Sequence, residues 1–163
     1  MASPRGPRRS STETYRLLLV EDDRDALIAG AHLLEDAGFV VELAKTAADG
    51  IVKANALRPD VIVTDLMMPD ISGEELVREL RRRRPTRHTP VIVYTAVTDV
   101  EHLTPLVRLN VRVFAIKPCL PMVIGAEARR LLTAATSDAG VRVLTGYGET
   151  LDELAERLSA AGR

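Results

Sequence analysis

Five short apolar runs rich in β-branched residues or leucine recur along the chain, at Arg16 to Val20, Phe39 to Leu43, Val61 to Thr64, Val91 to Thr95 and Arg112 to Ile116. Apolar residues on successive positions mark strands buried on both faces, the condition of a parallel sheet, whereas a half-solvated strand alternates. Parallel neighbours need a long crossover, and the intervening segments have the spacing of helices. Leu27, Leu33, Leu34 and Ala37 form one such set, followed by Ala48, Ile51, Val52 and Ala54, and then by Leu76, Val77 and Leu80. Gly38 can take a left-handed cap conformation after the first helix, and Pro59, Pro85 and Pro90 punctuate later helix-to-strand turns. Between Thr98 and Asn110 the pattern is less regular. Pro105 interrupts a continuous helix there unless the helix begins at it with Thr104 as cap, so a short or kinked fourth helix is expected. A fifth helix from Pro121 to Ala134 completes five strand-helix units, which predicts a doubly wound α/β sandwich.

The two ends differ from this repeat. Met1 to Thr14 is rich in Pro, Ser and Arg and lacks the apolar stretch of a signal peptide, which suggests a disordered leader over 1–14. The repeat occupies 15–134. Over 135–163 a short apolar stretch, Val141 to Leu144, precedes Thr150-Leu151-Asp152-Glu153, a capping-box pattern opening a helix with Leu151, Leu154 and Leu158 on one face. This extension is too short for a second domain. Lysine plus arginine (22) nearly balances aspartate plus glutamate (23), so charge gives no general reason to expect nucleic acid or membrane as partner. No apolar run approaches the roughly 18 residues of a membrane span. The single cysteine, Cys119, cannot form an internal disulfide, and a cytoplasmic location is expected.

Open parallel sheets gather reactive groups at the carboxyl edge, where the winding direction reverses. The polar residues follow that rule. Glu21, Asp22 and Asp23 follow the first strand, Asp65 the third and Lys117 the fifth, while Thr95 ends the fourth. A strand order of 2-1-3-4-5 makes these ends neighbours. Carboxylates converging within about 4 Å repel by roughly 4 kcal/mol per pair at an effective dielectric near 20, so such a cluster calls for a cation or shifted pKa values. Magnesium suits it best, since it prefers oxygen ligands and bridges carboxylates to phosphoryl oxygens; sodium or manganese would fit the same oxygens.

The motifs at these strand ends are Val20-Glu21-Asp22-Asp23, Asp65-Leu66-Met67-Met68-Pro69-Asp70 with Gly73, Tyr94-Thr95-Ala96, and Phe114-Ala115-Ile116-Lys117-Pro118. Together, in this order, they resemble those of the receiver domains of bacterial two-component response regulators. The resemblance extends from about Tyr15 to Ala134 and implies a flavodoxin-like five-stranded parallel sheet with helices on both faces. It implies that Asp65 takes a phosphoryl group from a sensor histidine kinase or histidine phosphotransfer protein. It also implies that Asp23, Asp65 and the backbone carbonyl of Met67 bind Mg2+ directly, with Asp22 binding through water. Lys117 would pair with Asp65 and then with a phosphoryl oxygen; Thr95 would donate a hydrogen bond to the new group, and Phe114 would turn toward the space that Thr95 vacates. A stand-alone regulator is expected, signalling to a downstream protein through protein contacts, with a homodimer among the roles open to the extension.

Plainer roles account for other features. Asp22 or Asp23 alone could simply cap the first helix. Arg81 to Arg84 would solvate the carboxyl end of the third helix, where positive charge complements the dipole. His32, His88 and His102 lack metal-ligand spacing, and Cys119 suits a buried small residue. Two rival functions differ in kind. A magnesium-dependent phosphoryl-transfer enzyme would need an inserted segment to enclose its substrate, and none is visible. A flavodoxin-like nucleotide-binding module would need a glycine-rich turn after the first strand, where this chain has acids.

Overall fold

The computed structural model describes residues 14–134, 140–146 and 148–163. All but the last residue of the expected leader, and the Ser137 boundary of the extension, lie outside the described residues. The chain runs β1 (Arg16–Val20), α1 (Arg24–Asp36), β2 (Val40–Ala44), α2 (Ala47–Leu57), β3 (Val61–Thr64), α3 (Gly73–Arg82), β4 (Val91–Thr95), α4 (Val100–Arg108), β5 (Val113–Cys119), α5 (Pro121–Thr133), β6 (Arg142–Gly146), β7 (Glu149–Thr150) and α6 (Asp152–Ala161).

The strands form one sheet in the order β2-β1-β3-β4-β5-β6-β7. Its first five strands have the expected order and are parallel. The expected five-strand count is too small. The stretch taken as a short appendage adds β6 parallel to β5, with Phe114 beside Val143, and β7 antiparallel to β6. A strand of five residues after a helical crossover resembles the repeat preceding it, but α5 and β6 are separated by a segment without apolar periodicity that hides the continuation.

Each sheet face has its own core. On one face, Leu27 and Leu34 of α1 and Ile124 and Ala128 of α5 pack with Leu17, Val63, Ile92 and Ala115. On the other, Ile51 of α2, Leu76 of α3, Leu103 of α4 and Leu158 of α6 pack with Leu18, Ile62, Val93 and Phe114. Leu33 and Val52, though part of the apolar sets with helical spacing, are 45% and 66% exposed. Strand β2 begins one residue later than expected because the Phe39 N–H bonds the Leu34 carbonyl at the exit of α1, leaving Val40 to start the ladder.

The fourth helix is short, as expected, while the start of the last helix differs from expectation. Of the two alternatives at Pro105, the structure takes the one in which α4 begins upstream of it, at Val100: the Asp99 side chain accepts from the Glu101 N–H, and Thr104 Oγ1 donates to the Val100 carbonyl. Pro105 sits inside this nine-residue helix, where the partner its missing N–H forgoes is the carbonyl of exposed Glu101, within reach of water. The Thr150 capping box does not form. Thr150 pairs with Leu144 in the sheet, and Leu151 holds the N-cap position of α6 without a side-chain cap bond.

Candidate functional site

Strand β3 is buried throughout and delivers Asp65 to the carboxyl edge of the sheet, where the residue is only 7% exposed. Its Oδ1 accepts from the N–H groups of Leu66 (2.6 Å) and Met67 (3.2 Å), which fixes the carboxylate plane, and Oδ2 accepts from Lys117 Nζ at 2.8 Å. The loop then doubles back tightly. The Gly73 N–H donates to the Leu66 carbonyl at 2.9 Å, and a Cβ at Gly73 would stand 2.1 Å from the Asp65 carbonyl oxygen. Only glycine fits that approach. Asp70 in the same loop accepts from the N–H groups of Ala47 and Ala48 and so ties the loop to the start of α2.

At the end of β1, the three consecutive acids separate. Glu21 is buried, its N–H continuing the ladder to Ala44; its Oε2 accepts from Lys117 Nζ at 3.0 Å and its Oε1 from the Asp23 N–H at 3.2 Å. Asp22 is exposed, and among the described residues Glu21, Asp22 and Asp65 bring carboxylate oxygens within 4.8 Å of one another. Asp23 does not belong to this group. Its Oδ1 accepts from the Ala26 N–H at 2.8 Å, capping α1. The expected pair of Asp22 and Asp23 is thus displaced by one residue toward Glu21 and Asp22, because the acid nearest the helix is drawn off by unsatisfied N–H groups of its first turn.

Lys117 stands between Glu21 and Asp65. Partial burial works to lower its pKa, but the hydrogen bonds and charge of Asp65 and Glu21 raise it on balance. Its ammonium also lies 4.8 Å from the ring centroid of Tyr94, a contact not anticipated from sequence. Burial raises the Tyr94 phenol pKa, against the effect of the Lys117 charge. The signal was available: Tyr94 pairs with Ala115, and two residues on along β5 is Lys117, on the same sheet face by strand alternation.

Thr95 is fully buried at the end of β4, and its Oγ1 accepts from the Val97 N–H. Phe114 is likewise fully buried, in the core beneath α4. Met67, by contrast, is 69% exposed. Arg81, expected to solvate a helix end, is a strut: its guanidinium donates to the carbonyls of Leu109 and Thr89, and burial lowers its pKa. Cys119 is buried as expected, and burial pushes its thiol up to about 11. A cavity of about 420 Å³ lined by Arg24, Leu27, Ile28, Lys45, Asp49 and Lys53, among others, lies between α1 and the start of α2 and does not include Asp65. No helix among the described residues is long and apolar enough to cross a membrane.

Three carboxylates and one ammonium leave two negative charges at this edge. Oxygens less than 5 Å apart repel by about 3 kcal/mol per pair at an effective dielectric near 20, and a divalent cation with oxygen preference would balance them. The donor set therefore fits magnesium.

Residues 17–129 match the response regulator receiver domain family. The chain is 33% identical over 120 residues to the transcriptional regulatory protein CusR of Escherichia coli K12, a match covering 72% of this chain and 51% of that protein. It is 29% identical over 150 residues to the probable transcriptional regulatory protein SilR of Salmonella typhimurium, covering 90% of this chain and 64% of that one. Among solved structures, the chemotaxis response regulator CheY4 of Vibrio cholerae superposes with a TM-score of 0.67 at 27% identity, covering 74% of this chain and 99% of that chain. The chain spans about half the length of CusR.

Proposed function

The chain belongs to the response regulator receiver domain family, a family of signalling switches, and from that premise we propose that Asp65 is its phosphoacceptor, charged by a histidine kinase or a histidine phosphotransfer protein. The observation that carries this reading is the placement of Asp65, held by two backbone N–H groups on one oxygen and by Lys117 on the other, beside Glu21 and Asp22.

In the proposed step a carboxylate oxygen of Asp65 attacks the phosphorus of a phosphohistidine; the new O–P bond forms as the N–P bond breaks, and the imidazole leaves with a proton from solvent. Phosphoryl transfer asks little of the protein beyond alignment and charge neutralisation on the equatorial oxygens. Lys117 supplies one positive charge. Asp22, in the direct role that the resemblance had given Asp23, would hold Mg2+ with Asp65 and the Met67 carbonyl, and Glu21 would take the water-mediated place that the resemblance had given Asp22. When bound, the ion supplies further charge neutralisation. Thr95, buried beside this edge, would donate its hydroxyl to a phosphoryl oxygen, and Phe114 behind it would respond as one of two packings is favoured. The same groups would promote the chain's own phosphorylation by a small phosphodonor and its later hydrolysis. Output through contacts with a downstream protein follows from the same reading.

Intact-mass measurement after incubation with acetyl phosphate and magnesium tests it. The wild type gains one phosphoryl group and Asp65→Asn gains none; equal gain in both would place the acceptor elsewhere.

A further inference from the structure

We propose that Tyr94 is a positioning residue for the phosphoacceptor site, its ring holding the Lys117 ammonium beside Asp65 while leaving an N–H free for an incoming phosphoryl oxygen. The inference rests on the assignment of Asp65 as phosphoacceptor.

Lys117 carries three N–H donors on a long flexible stem. Two are directed to Glu21 Oε2 and Asp65 Oδ2. A third oxygen partner would fix the ammonium but use the donor that a phosphoryl oxygen needs. The Tyr94 face, 4.8 Å away, attracts the cation through its quadrupole and consumes no donor. The ring is itself held in place, because Tyr94 packs against the core formed by α1, α5 and one sheet face. Successive residues of β4 thereby serve opposite sides of the sheet. Tyr94 reaches Lys117 on the α1 and α5 side, and by strand alternation Thr95 lies on the side of Phe114. Without the ring, Lys117 would keep its two carboxylates but explore more rotamers, and fewer of them would meet a transferring phosphoryl group.

The test compares wild type, Tyr94→Phe and Tyr94→Leu for the rate of phosphoryl gain from acetyl phosphate with magnesium. Thermal melting and the proton chemical shifts of the Lys117 ε-methylene are recorded on the same samples. Leucine should slow phosphorylation about fivefold, on the scale of a partly desolvated cation-π contact, while phenylalanine stays within about twofold of wild type. The ε-methylene protons should be shifted upfield by the ring in wild type and Tyr94→Phe and should lose that shift in Tyr94→Leu. Tyr94→Met replaces leucine if that variant does not fold. Equal slowing in the phenylalanine and leucine variants, or no slowing in leucine while wild type is phosphorylated, overturns the positioning role. Absence of phosphoryl gain in the wild type instead overturns the phosphoacceptor assignment on which the role depends.

Discussion

Glu21, Asp22 and Asp23 differ by at most one methylene, yet the backbone gives each a different neighbour. Glu21 still belongs to the ladder and turns inward to Lys117, Asp22 faces the opening beside Asp65, and Asp23 meets the first turn of α1. Their substitutions should therefore separate metal binding from stability. Glu21→Gln or Asp22→Asn removes a charge from the cluster and should weaken magnesium binding by about tenfold, roughly 1.4 kcal/mol, in titration calorimetry. Asp23→Ala should leave that affinity within about twofold and cost about 1 kcal/mol in chemical denaturation through loss of the cap. Magnesium affinity that falls only in Asp23→Ala would return the ligand role to Asp23. At this scale residue types and strand ends were legible in the sequence, because Asp65, Thr95 and Lys117 each end or follow an unmistakable apolar run. Which of three adjacent acids faces the site was not, since that depends on where the ladder stops and the helix begins. A one-residue change in that boundary exchanges the roles.

The loop between β3 and α3 works as an element because both its ends are clamped. Gly73 presses against the backbone of Asp65 and Leu66, and Asp70 reaches the N–H groups that open α2. In Gly73→Ala the new Cβ would meet backbone at 2.1 Å, which no side-chain rotation relieves. The variant should lose at least about 2 kcal/mol, with phosphoryl gain reduced in the fraction that stays folded, as read by denaturation and intact mass. Asp70 makes a pH-dependent contribution. Slight burial works to raise its pKa, but N–H groups of Ala48, Ile71 and Ala47 lower it on balance. A carboxyl with depressed folded pKa stabilises above its unfolded value, near 3.9, and the contribution is lost as pH falls through the folded value. Wild type should thus exceed Asp70→Ala by about 1 kcal/mol or less at pH 7, given the residue's exposure, and the gap should close below about pH 4. A gap that widens in acid would mean the carboxyl acts in its neutral form. The elements with strong apolar periodicity were found in place, and α4 is short as expected, its start set by the Asp99 cap upstream of Pro105. The start of α6 was misplaced, because the pairing of β7 with β6 claims Thr150 of the capping-box pattern.

Across the whole molecule, the described residues after Ala134 prove hard to separate from the rest. Strand β6 covers the edge of β5 and places Val143 beside Phe114, while Leu158 of α6 is fully buried in the same core as Leu103 and Leu106 of α4. Arg108 of α4 donates to the Ala161 carbonyl near the end of α6. On the opposite face, Glu127 of α5 is only 6% exposed and accepts from Arg130 at 2.5 Å and from Arg142 of β6 at 2.8 Å. A boundary at Ala134 suits the family repeat but cuts through these contacts. Truncation there would leave Glu127 with one of its two guanidinium partners, open the apolar seat of Leu158, and expose the N–H and C=O groups of β5, a template for pairing with another chain. We therefore expect residues 14–134 alone to melt well below the full chain and to self-associate in light scattering. Leu158→Ala, which keeps β6 in place, should cost about 2 to 4 kcal/mol, in one cooperative transition by both near-ultraviolet and far-ultraviolet circular dichroism. If α6 were a loosely attached tail, the alanine variant would melt with the wild type and the truncated chain would stay monomeric. Because the seat of α6 adjoins both α4 and Phe114, any shift of those elements on the proposed phosphorylation of Asp65 would have to work against the same packing that stabilises the fold.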